Sequence, residues 1–114
     1  MDASLLITLQ NYGFSEKEAK VYLTALELGP TLASSIARNV GEKRVSTYTI
    51  LREMIKKGYM HEIKRNEVSY FSSTSPELLF QEFEKKYQNF KDSLPNFLSI
   101  FTRFDNKTKI QFLE

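Results

Sequence analysis

Apolar positions along the chain fall into four helical stripes, then two short alternating segments, then one long seam. Leu5, Leu6 and Leu9 recur at helical spacing and predict an amphipathic helix from Asp2 to Asn11, ended by Gly13. Ser15-Glu16-Lys17-Glu18 reads as a capping box: the Ser hydroxyl accepts from a free backbone N–H while Glu18 reaches back. The helix it opens carries Ala19, Tyr22, Leu23 and Leu26 on one stripe and stops at Gly29-Pro30. Thr31 is expected to cap a third helix, Leu32 to Asn39, with Leu32, Ile36, Ala37 and Val40 pointing inward and Gly41 closing it. Arg44 to Lys57 resumes the period with Tyr48, Leu51, Met54 and Ile55 on one side and ends at Gly58.

Two short helices joined by a tight Gly-bearing turn, the second rich in bases and hydroxyls, form a helix-turn-helix pattern. Tyr59 to Lys64 and Val68 to Ser72 follow with β-branched and aromatic residues about a polar tip, Arg65-Asn66-Glu67, which predicts a β-hairpin. That order, helix-turn-helix and then hairpin, is the order of a winged helix. Ser75-Pro76 opens a long helix, with Ser as N-cap and Pro at the first helical position, where its missing N–H costs nothing. Phe80, Phe83, Tyr87, Phe90, Leu94, Phe97, Phe101 and Phe104 alternate three and four apart, an unbroken heptad seam. Pro95 removes a hydrogen bond and clashes near Lys91, so a kink or restart is expected there. Lys109-Ile110-Gln111-Phe112 alternates like a strand.

The expected fold is therefore mainly α with a small β-hairpin: a winged helix-turn-helix followed by a long C-terminal dimerisation helix. Residues 1–74 would form the winged domain, 75–105 the coiled-coil-like helix kinked near Pro95, and 106–114 a short tail or strand.

At 114 residues the chain is long enough for one compact core and not for two. The absence of Cys removes disulfide scaffolds and thiol nucleophiles and fits a reducing compartment. No apolar run approaches the ~18 residues of a membrane span, and the first residues lack the basic and apolar blocks of a secretory signal. These features point to a cytoplasmic protein without a membrane partner.

The net charge of +2 argues for no partner, but its distribution does. Between Thr31 and Asn66 lie eight bases against three acids, while the segments on either side are net acidic. A local basic surface of this kind is the electrostatic footprint of a nucleic-acid reader. A merely solvated helix face would produce a similar excess.

A helical wheel for Arg44 to Lys57 turns Thr47, Tyr48, Leu51, Met54 and Ile55 inward and leaves Val45, Ser46, Thr49, Arg52 and Lys56 outside. Ser46 and Thr49 are suited to base edges, Val45 to a thymine methyl, and Arg52 to a guanine or a phosphate. Glu53 lies on the same side and would repel phosphate, which places its end of the helix outside a groove. Lys43 and Arg44 at the start of this helix, with Ser34 and Ser35 near the start of the one before, are candidate phosphate contacts that fix register. Lys64 and Arg65 suit a wing touching the DNA backbone or minor groove and equally a soluble hairpin tip.

Enzyme chemistry has little to build on. His61 is the only histidine, the glycines form no phosphate loop, and the carboxylate pairs are best explained as helix-surface charge. No catalytic residue, metal site, cofactor or small-molecule site is expected.

The runs GFSEKEAKVYLTALELGP (13–30), SSIARNVG (34–41), the 44–51 segment with Tyr48, KKGYMHEI (56–63), Tyr70 and SPELL (75–79) together resemble the DNA-binding domain of TrmB-like transcription regulators, best known from archaea. The resemblance runs from Leu5 to Phe83. It departs at Glu42, where the turn is usually apolar, and at Thr49, where an acid is common. It implies a coiled helix, here Phe80 to Phe104, leading into a strand that begins an effector-binding domain; Lys109 to Glu114 is similar to that opening. An effector pocket is not carried over. The expected function is sequence-specific binding of double-stranded DNA as a homodimeric transcriptional regulator. The alternative is a winged-helix protein-interaction module using the aromatic seam.

Overall fold

The computed structural model describes residues 1–108, the last five as backbone only. Five helices and two strands follow one another as α1 (Ala3–Asn11), α2 (Glu16–Leu28), α3 (Ala33–Val40), α4 (Arg44–Lys57), β1 (Met60–Arg65), β2 (Val68–Ser73) and α5 (Pro76–Thr108). The fold is mainly α with one antiparallel hairpin, as the periodicity predicts. Residues 1–79 form one compact unit, and the rest of α5 belongs to a second. The strand expected over Lys109 to Phe112 and the side chain of Phe104 lie outside what is described. Among the described residues no helix is long and apolar enough to cross a membrane.

Local chemistry sets most helix ends. Asp2 caps α1 by accepting from the Ser4 N–H at 2.9 Å. The capping box of α2 is complete: Glu18 N–H donates to the Ser15 hydroxyl at 3.0 Å, and Ser15 N–H donates to the Glu18 carboxylate at 2.9 Å. Gly41 and Gly58 close α3 and α4 in the left-handed region, at φ 76° and 82°, where a side chain would be strained. Ser75 caps α5 through the Leu78 N–H at 3.2 Å.

Several expectations are corrected. Thr31 does not cap α3: its N–H and carbonyl pair with Phe71 at 3.0 and 2.7 Å, adding a one-residue bridge to the hairpin edge. Leu32 takes the cap position without a side-chain bond and is 38% exposed rather than buried. In α2 the buried face is Ala19, Val21, Tyr22 and Ala25, whereas Leu26 is exposed, because neighbours cover α2 on more than one side. The hairpin is one residue further along than expected. Arg65 ends β1, pairs with Val68, and leaves a two-residue turn of Asn66 and Glu67 at φ 50° and 64°. Two left-handed residues match the right-handed twist of the flanking strands. Finally, α5 continues through Pro95 without restarting. Of the two outcomes expected at Pro95 the restart is the one that does not occur: the lost bond to the Lys91 carbonyl is a single rung, and the turns on either side carry the helix across.

The core of the first unit is aromatic. Phe14 stacks on Tyr59 at 3.9 Å and meets Tyr22 edge-on at 5.5 Å. The Tyr22 hydroxyl donates to the Thr74 carbonyl at 2.7 Å, which fastens the end of the hairpin to α2. Ile36 of α3, Leu51 and Met54 of α4 and Met60 of β1 are fully buried, where α3 packs on α4 and α4 on β1. α4 is thus held from beneath, with its other side to solvent.

Candidate nucleic-acid interface

The helix α4 separates its residues as the wheel predicts. Thr47, Leu51 and Met54 are buried, Tyr48 and Ile55 half-buried, and Val45, Thr49, Arg52 and Lys56 exposed, with Ser46 half-buried at the margin. Val45 is 78% exposed, unusual for an apolar side chain on an otherwise packed helix. The Thr49 hydroxyl donates to the Val45 carbonyl at 3.3 Å, so its oxygen and methyl are what it offers outward. Lys56 pairs with Glu53 at 3.5 Å, one turn apart, which damps the positive charge at that end.

The other end of α4 is richer in free donors. Lys43 stands at the N-cap with no side-chain cap, and its carbonyl is held instead by the Thr47 hydroxyl at 3.0 Å. First-turn N–H groups of an uncapped helix carry partial positive charge. Lys43 and Arg44 add two exposed cations beside them. Ser34 and Ser35, half-exposed, lie in the first turn of α3. Ser34, Arg44 and Tyr48 line a cleft of about 300 Å³ with Glu67, Val68 and Ser69 of the hairpin, so the starts of both helices open onto the wing. Glu42 in the intervening turn is only partly exposed and pairs with Lys17 at 3.4 Å, which gives this acid a partner in α2.

Tyr48 organises this surface in a way the sequence does not signal. Its ring meets Phe71 of β2 edge-on at 6.0 Å. The guanidinium of Arg44 lies 6.0 Å from the ring centre and that of Arg52 5.6 Å, one turn before and one turn after. The only sequence cue is the four-residue spacing of Arg44, Tyr48 and Arg52.

The strand pleat separates the two wing bases. Lys64 pairs in register with Ser69 and shares a face with Phe71, which leans on Tyr48. Arg65 is on the opposite face, where it lines a cleft of about 280 Å³ with Pro30, Ile63 and Tyr70. Both are exposed. Along α5, Phe80, Tyr87, Phe90, Leu94, Phe97 and Phe101 are exposed and Phe83 half-buried; Phe90 and Phe97 stack on one another at 5.3 Å.

Comparison with known proteins supplies a family for this architecture. The sequence profile described as sugar-specific transcriptional regulator TrmB matches residues 9–77. Over 85 residues the chain is 25% identical to the HTH-type sugar sensing transcriptional regulator TrmBL1 of Pyrococcus furiosus, covering 75% of this chain and 25% of that protein. It is 25% identical over 103 residues to the uncharacterized protein YrhO of Bacillus subtilis, covering 82% of this chain and 38% of that one. The chain therefore spans well under half the length of these relatives. TrmBL2, an archaeal chromatin protein, superposes with a TM-score of 0.76 at 17% identity over 96% of this chain and 46% of its own. A MarR family protein from Bacillus stearothermophilus gives 0.56 at 16% identity over 89% and 76%. At such identities the solved structures share the winged-helix fold, while the profile spans more than half of the sequence, and on that basis the chain belongs to the TrmB family of transcriptional regulators.

Proposed function

We propose that the chain is a cytoplasmic transcriptional regulator that binds double-stranded DNA sequence-specifically, inserting α4 into the major groove and acting as a homodimer through α5. The observation that carries this reading is the outward row Val45, Thr49, Arg52 on a helix packed from beneath, adjoining the cationic, uncapped start of that helix. Val45, Ser46, Thr49 and Arg52 are the residues assigned to base edges. Lys43, Arg44, Ser34 and Ser35 are assigned to phosphates, which positions α4 without reading sequence. Lys56 stands at the groove's exit, where Glu53 moderates its charge. Of the wing bases, Lys64 shares the face that leans on α4 and is the nearer candidate for the DNA backbone; Arg65 turns to the other side.

The seam of α5, Phe80, Phe83, Tyr87, Phe90, Leu94, Phe97, Phe101 and Phe104, is assigned to pairing with a second copy. Membership of the family supports the DNA reading over use of the winged helix as a protein-contact scaffold. Titrating the protein against fragments of its own genome, in a series of salt concentrations, tests it. Retention of a few fragments with an affinity that falls steeply as salt rises is expected. Equal affinity for all fragments would remove sequence specificity, and no binding at low salt would remove the function.

A further inference from the structure

Charged residues on α5 occur in two settings. Glu82 pairs with Lys85 at 3.6 Å, and Gln88 donates to Asp92 at 2.8 Å, both on the side away from the aromatic seam. Glu84 and Lys91 instead border the seam, both on the same flank and two turns apart. Both are exposed, and no ion pair among the described residues engages either. Two exposed charges of opposite sign without a local ion pair, set beside an exposed apolar stripe, match a partner bearing the complementary pattern.

The geometry points to a second copy of α5 lying antiparallel, with Glu84 of each copy beside Lys91 of the other. This rests on the dimer proposed above and adds its orientation. With Phe80, Tyr87, Leu94 and Phe101 as heptad positions a and Phe83, Phe90 and Phe97 as d, Glu84 and Lys91 occupy e, while Lys86 and Ser93 occupy g. In a parallel pair the g flank of one helix faces the e flank of the other, one heptad on. Lys86 would then meet Lys91 of the second copy, and the twofold axis would repeat the repulsion. In an antiparallel pair the e flank faces the e flank. Placing Phe80 across from Phe97, Phe83 from Leu94 and Tyr87 from Phe90 brings Glu84 against Lys91 on both sides and sets Lys86 against uncharged Ser93. Two repulsive contacts are replaced by two attractive ones while the layers from Phe80 to Phe97 are filled by the partner; Phe101 falls opposite Pro76, at the end of the paired stretch. Pro95, at position b, stays off the seam. In this register the two Pro76 residues are ~37 Å apart along the pair, at ~1.5 Å per residue, of the order of one turn of DNA.

The chain has no cysteine, so introduced disulfides report the orientation directly. In the full chain, Glu84→Cys/Lys91→Cys is expected to oxidise to a covalent dimer. Lys86→Cys/Lys91→Cys is expected to remain single chains on a non-reducing gel. Neither pair can close within one helix, where the positions are too far apart for a disulfide. As a second measurement, Lys91→Glu should raise the dimer dissociation constant about tenfold by turning both attractive contacts repulsive. Glu84→Lys/Lys91→Glu should restore it. Cross-linking of Lys86→Cys/Lys91→Cys, or tighter pairing of Lys91→Glu, overturns the antiparallel arrangement while leaving the dimer intact. A parent protein that sediments as a monomer overturns the dimer itself.

Discussion

The carboxylate of Glu18 receives the ammonium of Lys57 at 2.9 Å, joining the first turn of α2 to the last turn of α4 across 39 residues of sequence. Glu18 is 5% exposed, and its other oxygen closes the capping box with Ser15. A buried carboxylate with both oxygens engaged tolerates loss of a partner poorly. The Lys57 side chain is 43% exposed, which reduces the effect of losing it. Lys57→Met is expected to lower stability by about 1–2 kcal/mol, read from the urea midpoint. Glu18→Ala should cost more, since the cap is lost as well. If Lys57→Met unfolds at the parent's midpoint, the pair contributes nothing to holding α4.

The same pair gives the fold an alkaline limit. Its hydrogen bond to Glu18 raises the Lys57 ammonium above its ordinary value, against a smaller opposing effect of burial. Burial raises the hydroxyls of Tyr22 and Tyr59. In each case the folded state holds its proton more tightly than the unfolded state. The stability these groups contribute is therefore complete below their unfolded values, ~10–10.4, and is lost as pH rises through the folded ones. The urea midpoint is expected to fall from about pH 10 upward, less steeply in Lys57→Met. A midpoint constant to pH 11 would contradict these shifts.

Tyr48 is half-buried, so its truncation should cost less than the ~3–5 kcal/mol of a fully buried aromatic; about 2 kcal/mol is expected for Tyr48→Ala. The larger consequence is for DNA binding, because the ring sits between Arg44 and Arg52. Tyr48→Phe keeps the ring and should bind and melt like the parent. Tyr48→Leu fills much of the space beside Phe71 without a π face. It should lose affinity at a melting temperature close to that of the parent. Equal affinity of Tyr48→Leu and the parent would reduce Tyr48 to packing alone.

Arg52 and Lys43 are assigned different tasks, and their variants should differ in kind. Arg52→Ala is expected to cost ~1–3 kcal/mol and to relax specificity at one base position. Lys43→Ala should weaken binding to all sequences alike and reduce the salt slope by about one. Both are read from anisotropy titrations on matched and scrambled sites across a salt series. Unchanged affinity in both variants would remove the proposed docking of α4.

Elements governed by neighbours in sequence were legible. The Ser15 and Glu18 box, both ends of α4 and the outward row of α4 all follow from spacing within a few turns. The residues that went astray answer to distant partners. Thr31 has the chemistry of a helix cap, yet Phe71 recruits its backbone into a bridge, and nothing near Thr31 announces Phe71. Leu26 continues a helical stripe that α2 does not bury, because periodicity defines an arc and only the packing of α1, α3, α4 and β2 decides which part is covered. The Glu18 and Lys57 contact and the placing of Tyr48 against Phe71 are long-range in the same sense. Lys64 and Arg65 looked equivalent until the register set them on opposite faces, since a shift of one residue reverses every side chain of a strand.

The seam of α5 supports the last prediction. Phe90 and Phe97 stack on one another yet remain 62% and 51% exposed, and Phe80, Tyr87 and Phe101 are more than half exposed too. Burying one such side chain contributes roughly 1.5–3 kcal/mol, and a contiguous exposed apolar stripe of this kind marks an interaction surface. A partner that repeats every seven residues covers it most completely, and a second α5 has that repeat. Phe90→Glu and Phe97→Glu place a carboxylate in the middle of the seam, at positions outside the unit of residues 1–79. The parent is therefore expected to sediment as a dimer at tens of micromolar and each variant as a monomer, with near-parent helical content by circular dichroism. Affinity for a two-half-site DNA should then fall to that of a single half-site. Variants that stay dimeric would move the interface elsewhere, the antiparallel pairing of Glu84 with Lys91 would fall with it, and a palindromic operator would no longer follow from the symmetry of this helix.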